Sequence, residues 1–217
     1  LGALADAGTI PAGARSLSRY FVRPRGVVVL AGGAPGEGGT PGEEAAFVRL
    51  PLDARAETTC VRHHDTIVAL ADDRRIAPAL RALFPQPLGA GSCAGQAYFA
   101  ETARPGEVGR VYYSRSTRRY NRAIQSAAEV VCALRRATEV PVLIDQAEFD
   151  RLCGDWLGDL RGIVRADVLP ALTAIDEWLR DTMLGATLPL GWHHGDYDFA
   201  NLLYGPDDTV TGILDFE

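Results

Sequence analysis

The chain has 217 residues, of which 47% are hydrophobic and 23% charged, a composition typical of one large globular domain or two small lobes. Its net charge of -6 and the lack of a basic stripe argue against a nucleic-acid partner. No apolar run approaches the roughly 20 residues that a membrane-spanning helix needs, so we also expect no membrane partner.

The four cysteines lie far apart and form no C-x-x-C pair. This spacing argues against zinc and against a redox dithiol, and it favours small buried thiols in a reducing, cytoplasmic compartment. The chain begins at Leu1 rather than Met and stops two residues after an Asp in a strand-like segment, so we expect it to be part of a longer polypeptide. All 22 basic residues are arginine, so no lysine is present to bind a phosphate.

The first half of the chain predicts strands followed by helix. Residues 27–30 read as a buried strand and residues 45–52 as a second one, which together predict a hairpin. The segment between them, residues 31–44, holds six glycines and two prolines and is interpreted as a disordered loop. Residues 58–85 have helical periodicity, but Pro78 interrupts it and predicts two helices.

The second half predicts mostly helices. A strand at residues 95–102 is followed by an amphipathic helix at residues 116–138 and by two further helices at 145–164 and 166–184. Trp156 and Trp178 have apolar neighbours in those two helices and are predicted to lie in the core. Strands and a helix first, helices next and a β-rich end last indicate an α+β fold with two lobes.

The last segment, "HHGDYDFANLLYGPDDTVTGILDFE", carries an unusual set of polar residues. His194, Asp196 and Asn201 form the pattern H-G-D-x-x-x-x-N, and Asp215 follows fourteen residues after Asn201. Residues 202–214 read as a hairpin, which returns its second strand beside its first. Asn201 and Asp215 are therefore expected to be neighbours that share one hard cation such as Mg²⁺, since an amide oxygen and a carboxylate suit that ion.

Asp196 lies a short loop upstream and has a carboxylate that could accept the proton of a hydroxyl group. Asp215 ends an apolar strand, where an acid is costly unless it is paired or bound to metal. Together these parts match the template of phosphoryl-transfer enzymes.

This segment resembles the aminoglycoside phosphotransferase and choline-kinase-like family, whose members are relatives of the protein kinases. The resemblance rests on "HHGDYDFAN" and "GILDFE". It implies that Asp196 is the catalytic base, that His194 organises the catalytic loop, and that Asn201 and Asp215 hold Mg²⁺ with ATP or GTP as donor. Asp198 stands where protein kinases have a lysine, which favours a small-molecule kinase.

The resemblance continues more loosely upstream. The strand "FVRLPL" is similar to the one that carries the nucleotide-binding lysine, and Arg49 stands in that place. Asp65, sixteen residues later in a helix, is the predicted partner of Arg49 in nucleotide binding. The stretch "QAYFAETARPG" looks like the segment that links the lobes, and no side-chain role is assigned to its Glu101.

The family therefore implies a two-lobed protein-kinase-like fold. A small β-rich N-lobe at residues 1–103 would carry the nucleotide side, and a mainly helical C-lobe at residues 104–217, incomplete at its end, would carry the catalytic loop. The implied function is transfer of the γ-phosphoryl group from ATP or GTP to a hydroxyl of a small molecule, which the sequence does not identify.

Two alternatives stay open. One is a degenerate kinase-like domain that binds a ligand without catalysis, since the lysine and a glycine-rich nucleotide lid are missing. The other is a metal-dependent hydrolase that uses His193, His194, Asp196 and Asp215, in which Asn201 would be dispensable.

Overall fold

The computed structural model of this protein describes residues 17–23, 26–31, 45–114 and 116–216, together with residues 4, 8 and 10. The glycine-rich segment interpreted as a disordered loop lies outside the described residues from position 32 to position 44. The strands are β1 Leu17–Arg23, β2 Gly26–Ala31, β3 Ala46–Pro51, β4 Pro87–Cys93, β5 Gln96–Thr102, β6 Glu107–Val108, β7 Val140–Leu143, β8 Thr187–Leu190, β9 Leu202–Tyr204 and β10 Val210–Ile213. The α-helices are α1 Ala54–Asp72, α2 Pro78–Arg81, α3 Thr117–Thr138, α4 Gln146–Phe149, α5 Asp155–Ile163 and α6 Leu169–Met183. This content confirms the α+β class.

The five N-terminal strands form one antiparallel sheet in the order β1-β2-β3-β5-β4. The predicted hairpin is confirmed as β2 and β3. Side chains alternate between the two faces of a strand. Ala46 and Val48 therefore join a buried apolar cluster with Ala100, whereas Arg49 and Glu101 emerge on the opposite face.

Helix α1 packs against β3, β4 and β5. It begins where the Asp53 carboxylate accepts a hydrogen bond from the Ala56 amide at 2.8 Å, which satisfies one of the free donors of the first turn. Its buried residues are His63, Ile67 and Leu70, spaced as one helical stripe. The helix ends before Pro78, which starts α2, so the predicted division into two helices is confirmed.

The C-terminal hairpin is also confirmed. Strands β9 and β10 pair antiparallel with Ile213 opposite Leu202, and β6 adds a third strand beside β9. In the turn, Asp208 is buried and forms ion pairs with Arg119 and Arg122 of α3. These contacts fix the hairpin to the long helix, so the residues that flank the hairpin have defined positions.

The chain divides into two compact units, residues 1–137 with 193–217, and residues 138–192. Every residue predicted for the functional site lies in the first unit. The predicted lobe boundary at residue 103 is a different division and stays a prediction. Within the described residues, no helix combines the length and the apolar character needed to cross a membrane.

The second unit corrects one expectation. Trp156 is 46% exposed and Trp178 is 63% exposed, so the prediction that they lie in the core is wrong. On α6 the side buried in the unit carries Leu172 and Asp176. Trp178 stands about 200° around the helix from Asp176 and therefore points away from that side.

Candidate active site

A cleft of about 630 Å³ opens on the face of the sheet that carries Arg49. Strands β2, β3 and β5, helix α1 and the C-terminal hairpin all contribute to its walls. Its apolar lining includes Val28, Phe47, Val108 and Leu214. A cleft with apolar walls and a few converging polar groups is the usual form of a small-molecule site.

Arg49 is the central cation of this cleft. On the sheet it lies opposite Phe99, while Glu101 lies opposite Phe47, so Arg49 and Glu101 are diagonal neighbours on one face. Arg49 donates through Nη2 to Glu101 Oε1 at 3.0 Å and to Asp215 Oδ1 at 2.7 Å. Although burial by itself lowers the pKa of the guanidinium, the two carboxylates raise it overall. Arg49 therefore stays charged between the sheet and the C-terminal hairpin.

Glu101 also lines the cleft, although the sequence analysis assigns no role to its side chain. It is only 3% exposed and is bonded to Arg49 and His63. Burial raises its pKa, but the Arg49 charge and the hydrogen bond from His63 outweigh burial and lower the pKa of Glu101 to about 2. The available signal is an acid that directly follows the apolar residues "AYFA" of this strand, since a buried acid is costly unless it is paired.

His63 is the second residue that the sequence reasoning did not place in the site. Its Nε2 lies 2.5 Å from Glu101 Oε2, and its Nδ1 lies 3.2 Å from the carbonyl oxygen of Phe216. The ring is 4% exposed. His63 thus connects α1 to the sheet and to the segment that carries Asp215.

The predicted pairing of Arg49 with Asp65 is wrong, because Arg49 bonds to Glu101 and Asp215 instead. The physical reason is the phase of the helix. The inward stripe of α1 passes through His63, and Asp65 is two residues further, about 200° around the axis. Asp65 is exposed, so it does not reach the cation.

The hairpin brings Asn201 and Asp215 together, as the sequence predicted. The backbone amide of Leu214 donates to the carbonyl oxygen of Asn201 at 2.8 Å, so the two residues flank the open end of the hairpin. Both line the cleft. Asp215 has a φ of 53°, a left-handed conformation that is uncommon for a residue with a side chain and that recurs at functional sites.

Asp196 is linked to this pair through Asn201. The Asn201 side-chain amide donates to Asp196 Oδ2 and to the Asp196 carbonyl oxygen, both at 3.0 Å. Asp196 is exposed, so its carboxylate is open to a substrate. Asp198, in the place of the protein-kinase lysine, accepts a hydrogen bond from the Ala200 amide and shapes the loop.

His194 has the position of a loop organiser. Its buried ring donates from Nε2 to the carbonyl oxygen of Leu214 at 2.6 Å and packs against Phe216 with ring centroids 4.5 Å apart. Burial lowers the pKa of this imidazole. His194 therefore joins the loop of Asp196 to the strand that leads to Asp215.

The oxygens at the open end of the hairpin fit a magnesium ion. Because Asn201 directs its amide nitrogen to Asp196, its Oδ1 has no hydrogen-bond partner in the described part of the chain. Asp215 uses Oδ1 for Arg49 and leaves Oδ2 for a cation. No group of three or more His, Cys, Asp and Glu side chains forms a metal site among the described residues. An amide oxygen plus one carboxylate suits Mg²⁺, which usually takes its other ligands from phosphates and water.

Comparison with known proteins identifies a family for this chain. The family model of the APH phosphotransferase enzyme family matches residues 36–217, a range that includes Arg49, the H-G-D-x-x-x-x-N motif and Asp215. A search of curated proteins finds no match. The family has a protein-kinase-like fold, which agrees with the observed α+β architecture. The match covers far more than half of the chain and confirms the resemblance inferred from the motif, so the chain belongs to the phosphotransferase enzyme family.

Proposed function

We propose that this protein transfers the γ-phosphoryl group of ATP or GTP to a hydroxyl group of a small molecule. The observation that carries the proposal is the hydrogen bond from the Asn201 amide to the Asp196 carboxylate, next to a cleft that Asn201 shares with Asp215 and Arg49. One site thus holds a base in Asp196 and a cation for phosphate in Arg49. It also holds two oxygen ligands for a metal ion, from Asn201 and Asp215.

In the proposed reaction, Asp196 orients the acceptor hydroxyl and accepts its proton as the oxygen attacks the γ-phosphorus atom. A new P–O bond forms to the acceptor, and the bond from the γ-phosphorus to the bridging oxygen breaks. The products are a phosphate ester and a nucleoside diphosphate, and the proton resides on the Asp196 carboxylate.

The remaining polar residues hold the donor. Asn201 Oδ1 and Asp215 Oδ2 would bind Mg²⁺, which offsets the negative charge of the phosphates. Arg49 would bind the same phosphates through guanidinium N–H groups, since Arg forms charge-assisted and bidentate bonds to phosphate oxygens. The apolar walls at Val28 and Leu214 suit a flat nucleobase.

The test compares the wild type with Asp196→Asn, which keeps the shape of the side chain and removes the base. We expect phosphoryl transfer to fall by about 10²- to 10⁴-fold while nucleotide affinity changes little. The assay measures nucleoside diphosphate release with a panel of amino alcohols, aminoglycosides, sugars and nucleosides, and calorimetry measures nucleotide binding. Asp207→Asn, an exposed aspartate of the hairpin turn, is the matched control. Full transfer by Asp196→Asn would remove the proposed base.

A binding domain without catalysis is the second candidate. The observation in its favour is that Arg49, in place of lysine, is already bonded to two carboxylates, one of them the Asp215 that the cation needs. The same assay separates the two candidates. Nucleotide binding that depends on Mg²⁺, with no turnover on any acceptor and none in water, would support the binding domain.

A further inference from the structure

The ring of His63 lies between two hydrogen-bond acceptors. Nε2 faces a carboxylate oxygen of Glu101, and Nδ1 faces the carbonyl oxygen of Phe216. A neutral imidazole has one donor and one acceptor nitrogen, so it satisfies only one of these contacts. The other contact would place a lone pair against an oxygen inside a buried site, which is unfavourable.

The extra proton belongs to His63 rather than to Glu101. Arg49 donates to Glu101 Oε1 from Nε at 3.3 Å and from Nη2 at 3.0 Å, and these charge-assisted bonds hold the carboxylate as an anion. A proton on each ring nitrogen then makes both contacts of His63 normal donor-to-acceptor hydrogen bonds. In this state the ring is an imidazolium cation.

In this state two cations, Arg49 and His63, balance the two carboxylates of Glu101 and Asp215. Glu101 receives Arg49 on Oε1 and His63 on Oε2, so two cations share one carboxylate. Asp215 is the second carboxylate bound to Arg49. Without a positive His63, Arg49 alone would face two carboxylates, and the cluster would be net negative beside the place proposed for the phosphates.

We propose that His63 is a positioning residue that acts as a buried cation: it neutralises Glu101 so that the charge of Arg49 remains available to a polyphosphate. This inference rests on the proposed function of the cleft. This role also explains why a histidine occupies position 63 on the inward stripe of α1. An acid at that position would add a second negative charge beside Glu101. His63 touches no substrate atom in this assignment, and it acts through Glu101 and Arg49.

The first test measures binding of three ligands, ATP, ADP and adenosine with Mg²⁺, to the wild type, His63→Gln and His63→Gln/Glu101→Gln. Gln can keep one hydrogen bond but has no charge. We expect His63→Gln to weaken ATP binding by about tenfold or more, ADP binding by less and adenosine binding hardly at all, because the penalty is electrostatic. The double variant removes the uncompensated carboxylate and should recover most of the ATP affinity.

His64→Gln is the matched control, since this neighbouring ring lies tilted beside Phe99, with ring centroids 5.9 Å apart, and is not among the residues that line the cleft. Thermal unfolding of each variant checks that it folds. An equal loss for all three ligands, or no recovery in the double variant, would overturn the proposed charge role and leave His63 as packing only. Failure of the wild type to bind any of the nucleotides would instead refute the proposed function.

The second test does not depend on a nucleotide. Nitrogen-15 NMR of the labelled full chain at neutral pH distinguishes an imidazole with two protonated nitrogens from one with a single proton. We expect the His63 ring to carry both protons in the wild type, with the resonance assigned by its loss in His63→Gln. A ring with one bare nitrogen would refute the cation.

Discussion

Replacing Glu101 with Gln should lower the free energy of unfolding at neutral pH by about 3 kcal/mol. The pKa of this carboxyl falls from an ordinary 4.5 to about 2 in the folded protein. Each unit of depression corresponds to about 1.4 kcal/mol of preference for the folded state. Because Glu101 is buried, solvent does little to screen its interactions with Arg49 and His63.

The pH dependence makes this prediction specific. A group with a depressed folded pKa stabilises the protein above its unfolded pKa, and that stabilisation is lost as the pH falls toward the folded value. The difference in stability between the wild type and Glu101→Gln should therefore be constant from about pH 5 to about pH 6. Between pH 4.5 and pH 2 it should shrink by about 1.4 kcal/mol per pH unit.

Urea unfolding at a series of pH values measures this difference directly. Glu177→Gln, an exposed glutamate on α6, is the matched control and should change stability by no more than about 0.5 kcal/mol. A difference between Glu101→Gln and the wild type that stays the same from pH 7 to pH 3 would show that Glu101 is not held ionised by its partners. In that case the reasoning on the charged cluster would fail.

Three further outcomes follow from the same structure. Asp208→Asn should lower stability in urea unfolding by about 2 kcal/mol, because it weakens charge-assisted bonds to two arginines of α3, whereas Asp207→Asn in the same turn should cost less than half as much. Alkylation of Cys60, whose pKa is raised by burial, should be slower than alkylation of the exposed Cys93, as measured by mass spectrometry. Because Cys60 lines the cleft, Mg²⁺ with ATP at ten times its Kd should slow the alkylation of Cys60 by a further factor of about ten. Gly109→Ala should destabilise the protein by about 1–3 kcal/mol in thermal unfolding, because a Cβ there would lie 2.6 Å from the carbonyl oxygen of Phe199.

The sequence predicts the C-terminal hairpin well for a local reason. Residues 202–214 contain two apolar runs and a Gly-Pro-Asp-Asp turn, and these signals act within a dozen residues. The neighbouring positions of Asn201 and Asp215 then follow from strand pairing alone. The same holds for α1 and α3, whose apolar residues repeat with the period of a helix.

The partners of Arg49 are harder to predict because they depend on tertiary geometry. Asp65 and His63 lie on the same predicted helix, and only the phase at which α1 packs on the sheet decides which one points inward. Glu101 meets Arg49 across two strands whose register the sequence does not specify. Strand β4 is not predicted from the sequence for a related reason, since "PLGAGSC" has little intrinsic preference for a strand. It becomes a strand because it pairs with β5.

A last prediction tests whether His194 positions the loop of Asp196 or transfers a proton. His194→Gln keeps a side-chain N–H for the carbonyl oxygen of Leu214, and His194→Phe keeps the ring that packs against Phe216. Because burial lowers the pKa of His194, its ring is neutral at neutral pH and is not the group that sets the activity profile there. We expect both variants to lower kcat and to leave the shape of the pH–rate curve between pH 7 and pH 9 unchanged.

Stability should respond to His194 on the acid side. A histidine with a lowered folded pKa stabilises the protein above its ordinary value of 6.5, and this contribution is lost as the pH falls below that value. His194→Gln should therefore unfold with a weaker pH dependence below pH 6.5 than the wild type. If the variant instead moves the pH–rate curve and leaves the stability curve unchanged, His194 takes part in proton transfer, and the assignment of the base to Asp196 alone would be wrong.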